Sequence, residues 1–274
     1  MIILSDKPGQ LGNLLFLYAN FLAYGFEHQI KISNPSFCNF LKYFESTQKR
    51  STVLAKLNYT LAFYTSKILH KTKIKIPFIS VTCLLWDESC NLDIPSNIFN
   101  KGGLRLVQGW LYRAPDLLLK HKQQIIDYFK PTQELTKKID DFFKNTFAPT
   151  TEIIIGIHIR RGDYENFQGG KYYYSLDKYS TIVNVVSDLF QNKKIHFLIC
   201  SNEPIDLNKI NKGNHNMSKA PNHELMDMYC LSRCNYIIGP PSTYSMWASF
   251  YGSVPLYQVS EPNRKISLID FNII

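Results

Sequence analysis

The sequence lacks the features that assign many chains to a class at once. Its six cysteines show no paired Cys-x-x-Cys spacing, so neither a zinc site of that type nor a disulfide framework is predicted. No apolar run is long enough to span a bilayer, and Met1 is followed by no cleavable hydrophobic region. The 274 residues are 45% hydrophobic and 14% aromatic, which excludes a disordered chain. We therefore expect a folded, cytoplasmic protein with one large or two modest domains.

Patterns that bind a divalent metal are absent as well. The chain contains no Asp-x-Asp spacing, and its seven His residues show no cluster with metal-ligand spacing. We therefore expect no metal and no cofactor. Anionic charge in a binding site would then have to be balanced by arginine side chains or by a helix dipole.

What the chain does have is an excess of positive charge, concentrated in residues 42–75. The net charge is +9, and this stretch holds eight Lys or Arg against one acid, a net charge of +7. Apolar residues recur within it at helical spacing, namely Leu54, Leu57, Leu61, Tyr64 and Ile68. One interpretation is a basic amphipathic helix in peripheral contact with an anionic membrane. Another is an ordinary helix whose apolar stripe packs inward while its lysines are solvated. No recognised motif for nucleic acid accompanies the charge, so nucleic acid is not an expected partner.

The most informative stretch changes abruptly from apolar residues to two arginines. Residues 152–159 are rich in β-branched side chains and lack polar alternation, as expected of a parallel strand buried on both faces. Arg160, Arg161 and Asp163 then follow its carboxyl end, which is where ligands bind in open α/β sheets. Guanidinium groups grip phosphate oxygens in bidentate fashion, so the pair suits a diphosphate. A solvated loop, or a structural salt bridge with an acid such as Asp163, is an equal alternative.

Two further predicted strands, 195–200 and 235–238, end in polar or small residues that a parallel sheet would place on the same edge. These residues are Asn202 and Glu203 after the first strand, and Ser242 and Thr243 after the second. A helix N-terminus behind the Ser-Thr pair could bind an anion, although a structural cap alone explains the pair. Glu203 could accept two hydrogen bonds from guanine, or it could be a solvent-facing acid. His158 could contact a ligand or be a hydrogen-bonded core histidine.

The order of elements predicts an α/β protein. Residues 1–26 have the pattern of a strand, a loop and a helix, and regular alternation resumes after the turn-rich residues 148–151. We therefore expect an N-terminal domain of residues 1–148 and a C-terminal domain of residues 149–274.

Three segments resemble one enzyme family, in the same order along the chain. His158-Ile-Arg-Arg-Gly-Asp-Tyr164 resembles the H-x-R-R-x-D-Y motif of the α-1,2-fucosyltransferases, glycosyltransferase family 11, within the superfamily of α-1,2, α-1,6 and protein O-fucosyltransferases. Gly9-Gln-Leu-Gly-Asn13, with the residues up to Ala19, is similar to the family's N-terminal G-x-L-G-N-x-x-F-x-Y-A. Residues 225–247 are similar to its late block, while residues 34–148 align with nothing.

The resemblance implies a GT-B-type α/β fold, with two Rossmann-like domains facing a cleft and the last residues able to return to the N-terminal domain. It implies an inverting, metal-free transfer of fucose from GDP-fucose to a glycan hydroxyl, with an α-1,2 linkage. Arg160 would contact the β-phosphate and stabilise the leaving GDP, and Asn13 would face the donor sugar and the acceptor. The resemblance assigns donor binding to His158, Arg161, Asp163, Asn202, Glu203, Ser242 and Thr243.

Departures from the family pattern concern acceptor and linkage more than donor chemistry. Leu14 replaces the usual Gln, and Tyr244 and Met246 replace an aromatic pair of the late block. No residue is a convincing general base, and departure of GDP ahead of attack needs only weak base assistance. The alternatives are the same fold with another GDP-sugar, or a non-catalytic protein that binds a nucleotide sugar or a glycan.

Overall fold

The computed structural model describes residues 1–7, 9–94, 102–261 and 264–274. The chain divides into two compact units, Met1–Leu135 and Thr136–Ile274, and each contains a sheet of parallel strands. The expected α/β fold class is therefore confirmed, while the predicted domain boundary at residue 148 stays a prediction.

The first unit is a parallel sheet with helices in its connections. Its strands are β1 (Ile2–Leu4), β2 (Ile32–Ser33), β3 (Ile79–Cys83), β4 (Cys90–Asn91), β5 (Leu104–Gln108) and β6 (Tyr112–Arg113). Its helices are α1 (Leu11–His28), α2 (Thr52–Thr72), α3 (Pro115–Lys120) and α4 (Lys122–Tyr128), and α5 (Gln133–Thr146) runs on into the second unit. The sheet has the order β2-β1-β5-β3, and β4 pairs with β6 separately. Helix α1 is apolar on all sides, which is why it is buried from Leu11 to Gly25 apart from a partly covered Asn13.

The apolar stripe of α2 faces away from the body of the unit. The buried residues of this helix are Ala62, Ser66 and Leu69, which share one helical face, and the Ser66 hydroxyl accepts a hydrogen bond of 2.7 Å from the Gln108 amide. On the opposite side the large apolar side chains are 56–68% exposed. They are Val53, Leu54, Leu57, Leu61, Tyr64 and Ile68. The predicted helix is present, and the interpretation in which its apolar stripe packs inward is wrong, because Ala62, Ser66 and Leu69 form the packed face instead.

The second unit is a five-stranded sheet in which every strand pair is parallel. Its strands are β7 (Ile153–Ile159), β8 (Ile195–Ser201), β9 (Asn216–Lys219), β10 (Tyr236–Gly239) and β11 (Leu256–Gln258). Its helices after α5 are α6 (Leu176–Leu189), α7 (Glu224–Leu231) and α8 (Thr243–Gly252). The order is β11-β10-β7-β8-β9, so the three strands predicted to carry the site are neighbours.

The central strand β7 is covered on both faces, as its uninterrupted apolar sequence predicts. Ile155, Ile157 and Ile159 are fully buried in the core that includes α6. On the other face, Gly156 lies so close to Leu231 of α7 that a β-carbon there would collide with the leucine side chain. This two-sided packing fixes the strand and therefore the direction in which the residues after Ile159 leave the sheet.

Candidate functional site

The ends of β7, β8 and β10 meet at one edge of the second sheet. Ile159 pairs with Ser201 of β8, and Ile157 pairs with Ile238 of β10. The chain crosses from β7 to β8 on one side and later places β10 on the other side, so the edge contains a topological switch point, the usual ligand position in such sheets. The structure therefore brings together the arginine pair and the polar residues after both neighbouring strands.

Arg160 is held in place by Asp163. Its Nε and Nη2 atoms donate hydrogen bonds of 2.9 Å and 2.7 Å to the two carboxylate oxygens, and its guanidinium lies 5.3 Å from the centre of the Tyr164 ring. The arginine side chain is 11% exposed and that of Asp163 is 48% exposed. The salt bridge considered from the sequence is thus present, and it fixes a guanidinium at the carboxyl end of β7.

The turn that makes this ion pair depends on Gly162. Its φ of +57° is unfavourable for residues with a β-carbon, and such a carbon would approach Glu203 Oε1 to 3.1 Å and Asn202 Nδ2 to 3.2 Å. Residues Gly162–Glu165 then form a short 3-10 turn that returns Asp163 to Arg160. The glycine of the motif is therefore required by backbone geometry and by space.

Arg161 supports the loop instead of reaching outward. Its backbone N–H donates to Asn202 Oδ1 at 3.0 Å, and the Asn202 amide donates back to the Arg161 carbonyl at 3.3 Å. Its side chain donates to Glu203 at 3.4 Å, to the Tyr174 carbonyl at 3.2 Å and to the hydroxyl of Tyr173. The loops after β7 and β8 are clamped together by these bonds. The structure therefore pairs Glu203 with an arginine, an arrangement not anticipated from the sequence.

His158 lies beneath the edge as a buried, neutral side chain. Burial first, and the nearby Arg160 charge second, lower the pKa of His158 to about 3. Its ring lies 4.9 Å from that of Tyr244, and its Nδ1 atom has no hydrogen-bond partner among the described residues. A β-carbon on Gly239 would come within 2.9 Å of the His158 carbonyl, which explains the glycine at the end of β10. His158 is therefore buried and is not the hydrogen-bonded core histidine that was one of the two alternatives, while its expected contact with the donor stays a prediction.

The loop after β10 ends in a capped helix. The Ser242 hydroxyl accepts a hydrogen bond of 3.3 Å from the Tyr244 N–H, and Thr243 is the first residue of α8. The structural cap anticipated for Ser242 is thus present at a helix N-terminus on the site edge. The Tyr164 hydroxyl donates to the Pro241 carbonyl at 2.8 Å and ties this loop to the arginine loop. Tyr164 was missed as a site residue, although it closes the motif that marks the site.

Asn13 belongs to the first unit. It lies in the first turn of α1, after β1, and a β-carbon on Gly9 would approach its Nδ2 atom to 2.5 Å. A φ of +66° adds to the reasons for glycine at that position. The expected role of Asn13 toward donor sugar and acceptor stays a prediction. In the described part of the chain, no group of three or more His, Cys, Asp or Glu could hold a metal ion.

A buried carboxylate on α7, Asp227, was not singled out from the sequence. Burial raises the pKa of Asp227 to about 6, although backbone N–H groups of His223 and Asn222 lower it in part. The folded protein therefore holds this proton more tightly than the unfolded chain, and the resulting stability is lost as pH rises through about 6. We expect the free energy of unfolding to fall by about 1 kcal/mol between about pH 5 and about pH 8 through this group.

Denaturant unfolding of the wild type and of Asp227→Asn at both pH values measures this contribution. The Asp227→Asn variant, which cannot ionise at this position, should lack that part of the fall. An identical pH dependence in both proteins would show that Asp227 is not a raised, buried acid.

Comparison with known sequences covers two of the three segments on which the resemblance rests. The sequence model of glycosyl transferase family 11 matches residues 35–264. This range contains the arginine motif and the late block, and it also covers the middle of the chain that the short motifs left unaligned. The Gly9–Asn13 segment lies before it. Nodulation protein Z of Bradyrhizobium diazoefficiens is 22% identical over 178 residues, which are 54% of this chain and 48% of that protein. The match thus spans about half the length of this curated relative.

Solved structures give the same fold over nearly the whole chain. A variant of FUT1 from Arabidopsis thaliana in complex with GDP has a TM-score of 0.60 at 12% identity, covering 99% of this chain and 73% of that one. NodZ α-1,6-fucosyltransferase, a Bradyrhizobium protein, soaked with GDP-fucose has a TM-score of 0.56 at 15% identity, covering 96% and 97%. The expected GT-B-type fold class is confirmed by these likenesses.

The family match and the site agree with each other. The matched range covers well over half of the chain and includes every residue at the edge of the second sheet described above. The chain belongs to glycosyl transferase family 11.

Proposed function

We propose that the chain moves fucose from GDP-fucose to a glycan hydroxyl, with inversion, without a metal ion and with an α-1,2 linkage. The observation that carries this proposal is the Arg160 guanidinium, which Asp163 holds at the carboxyl end of β7. In a member of a glycosyltransferase family, a fixed cation at the switch point of a parallel sheet suits the diphosphate of a nucleotide sugar.

Charge movement in the reaction explains why a cation is needed. The bond from C1 of fucose to the β-phosphate oxygen breaks, and the acceptor hydroxyl oxygen forms the new bond to C1 while its proton passes to water. Negative charge therefore accumulates on the β-phosphate of the departing GDP. Arg160 and the N-terminus of α8 supply positive charge and N–H donors at this edge.

The ion pair with Asp163 is compatible with phosphate binding. Nearly half of the Asp163 side chain is exposed, so water can solvate its carboxylate while a phosphate shares the guanidinium. A diphosphate carries more charge than one carboxylate and can share the same guanidinium. Asp163 then serves to aim Arg160. The salt bridge and the phosphate site, which were alternatives in the sequence analysis, are in this proposal parts of one arrangement.

The guanine end of the donor has a candidate partner in Glu203. Its contact with Arg161 is long, at 3.4 Å, and the carboxylate is partly exposed. A carboxylate so weakly engaged can accept the N1–H and amine of guanine, a bidentate match that adenine does not offer. Support for a GDP donor also comes from the relatives, since solved structures with this fold contain GDP or were soaked with GDP-fucose.

A donor screen tests the proposal against its alternatives. Purified protein is incubated with GDP-fucose, other GDP-sugars and UDP-sugars, each with a panel of glycan acceptors, while release of nucleotide is followed. We expect release of GDP from GDP-fucose. Release of GDP from a different GDP-sugar alone would show that the protein uses another donor. No release of nucleotide from any donor would leave only a binding function.

The aiming role of Asp163 gives a graded prediction. Asp163→Asn keeps the size of the side chain but removes its charge, so we expect kcat to fall about tenfold, the value of roughly one charge-assisted hydrogen bond. Steady-state kinetics with the productive donor measure the change. The matched control is Asp177→Asn, because Asp177 is an exposed acid of the same unit paired with Lys212. Equal rates for Asp163→Asn and the control would remove the aiming role.

We further propose that the enzyme works in the cytoplasm beside an anionic membrane, which it contacts through the outer face of α2. This face presents six large apolar side chains to solvent. Residues 46–86, which include the helix, hold seven Lys or Arg and no acid. Lys67 and Lys71 follow Tyr64 and Ile68 by three residues, so each cation lies beside an apolar side chain of the face.

An anionic lipid surface fits this face better than a second copy of the chain. Two copies joined through it would bring like charges together, whereas anionic headgroups attract lysines and the acyl boundary covers the apolar side chains. Within the described residues, no helix has the length and apolar content needed to cross a membrane. The proposed contact is therefore one in which α2 lies along the surface.

A further inference from the structure

Two indole rings form a platform at the carboxyl edge of the first sheet. Trp86 follows β3 and Trp110 follows β5, which are neighbouring strands. The ring centres lie 5.3 Å apart with an angle of 37° between the planes, and the Trp86 side chain is 75% exposed. Large aromatic rings left in contact with water at a sheet edge mark a binding surface.

The platform is held rigidly by backbone contacts. The Trp110 Nε1–H donates to the Trp86 carbonyl at 3.1 Å, and the Leu84 N–H donates to the Gln108 carbonyl at 3.1 Å. Gly109 has a φ of +101°, and a β-carbon there would come within 2.9 Å of the Leu84 carbonyl. The Arg113 guanidinium lies 5.5 Å from the centre of the Trp110 ring. A surface fixed in this way loses little entropy when a ligand binds.

A carboxylate lies beside the platform. Asp6 follows β1, the neighbour of β5 in the sheet, and its Oδ2 atom accepts a hydrogen bond of 3.3 Å from the Gly109 N–H. Three adjacent strand ends therefore supply an exposed indole, a second indole packed against it and an acceptor for hydroxyl groups. This combination suits a pyranose ring, which has one face of C–H groups and an edge of hydroxyls.

We infer that Trp86 and Trp110 form a subsite for a sugar ring of the acceptor, with Asp6 accepting a hydrogen bond from one of its hydroxyls. The inference rests on the proposed function in that the acceptor is a glycan. Charge distinguishes this surface from the outer face of α2, because the acids Asp87 and Glu88 directly follow Trp86 in the sequence and Asp6 lies at Gly109, together with the cation Arg113. Their carboxylates repel anionic lipid headgroups and leave neutral sugars unaffected.

Intrinsic fluorescence tests the subsite without any donor. The chain has three tryptophans, and Trp247 is fully buried, so a fluorescence change on adding a free sugar reports on Trp86 and Trp110. The probes are lactose, cellobiose, chitobiose and mannobiose, each titrated into the complete protein. We expect one of them to change the emission of the wild type, and Trp86→Ala to lose about tenfold in affinity for it. No response to any of these sugars overturns the inference.

Kinetics with the productive donor provide the second readout. We expect Trp86→Ala to raise the acceptor KM about tenfold and to leave the donor KM and kcat within about twofold, since the platform binds ground and transition states alike. The exposed neighbour Leu85→Ala is the matched control and should resemble the wild type. An unchanged acceptor KM in Trp86→Ala contradicts the inference of a sugar subsite. A variant that keeps its acceptor KM but loses vesicle binding contradicts it as well. If the protein binds a sugar but turns over no donor, the proposed function is contradicted and the sugar subsite is not.

Discussion

Arg160→Ala is expected to lower kcat by at least about a hundredfold, because the variant loses charge stabilisation of the departing diphosphate worth several kcal/mol. The guanidinium is largely buried and aimed by two hydrogen bonds from Nε and Nη2 to Asp163, so its position costs nothing to arrange during the reaction. Initial rates of GDP release at saturating GDP-fucose and acceptor measure the effect.

Two controls separate this role from a general loss of structure. Arg233→Ala removes an arginine of the same unit that is paired with Asp140 and far more exposed, and it should leave kcat unchanged. Thermal unfolding of Arg160→Ala should show a folded protein. A folded Arg160→Ala variant with a rate near that of the wild type would contradict the role assigned to this residue.

Replacing Lys67, Lys71, Lys73 and Lys75 together by glutamine should weaken binding to anionic vesicles by roughly a thousandfold. Each lysine close to an anionic surface contributes about 1 kcal/mol, and the four contributions add when the charges face the same surface. Flotation with vesicles that contain phosphatidylglycerol measures the binding, and turnover on soluble acceptors should be unaltered. Vesicles of phosphatidylcholine alone should bind the wild type weakly.

Matched variants make the membrane test specific. Lys137→Gln with Lys144→Gln removes exposed lysines of α5 and should not change vesicle binding. Leu57→Gln with Leu61→Gln keeps good helix formers on α2 but removes apolar contact, and it should weaken binding even when all lysines remain. Vesicle binding that survives both the lysine and the leucine changes would contradict a contact through α2.

The second sheet was largely predictable because its central strands are apolar. Strands β7, β8 and β10 are covered on both faces, and such strands stand out in a sequence. The edge strand β9 has the sequence Asn-Met-Ser-Lys and carries no such signal. The central strand β5 of the first sheet was missed for a related reason: it contains Arg105 and Gln108, which are buried and bonded to Thr82 and Ser66. Partners so distant in sequence are not visible before the chain is folded.

Helix α2 shows what periodicity leaves open. Its apolar spacing correctly predicts a helix with an apolar stripe, but periodicity does not say which face the rest of the protein covers. The face that packs is lined by Ala62, Ser66 and Leu69, and the first two are small residues that contribute little to a hydrophobic pattern. The apolar stripe is exposed to solvent, and it is therefore a candidate surface for contact with a membrane.

The sequence predicted individual residues of the candidate site but not the hydrogen bonds that join its loops. The position of Arg160 after a buried strand followed from sequence, and so did its pairing with Asp163 as an alternative. The clamp between Arg161 and Asn202, the tie from Tyr164 to Pro241 and the pairing of Glu203 join loops far apart in the chain. Only the parallel sheet brings these groups within reach of each other.

A calorimetric titration of GDP and GMP into wild type and Arg160→Ala tests the central assignment most directly. The two ligands differ by the β-phosphate, so comparing them in both proteins isolates its interaction with Arg160. We predict that the wild type binds GDP at least about a hundredfold more tightly than GMP, and that this preference falls to within about threefold in Arg160→Ala. If the folded Arg160→Ala variant keeps the full preference for GDP over GMP, Arg160 does not bind the β-phosphate.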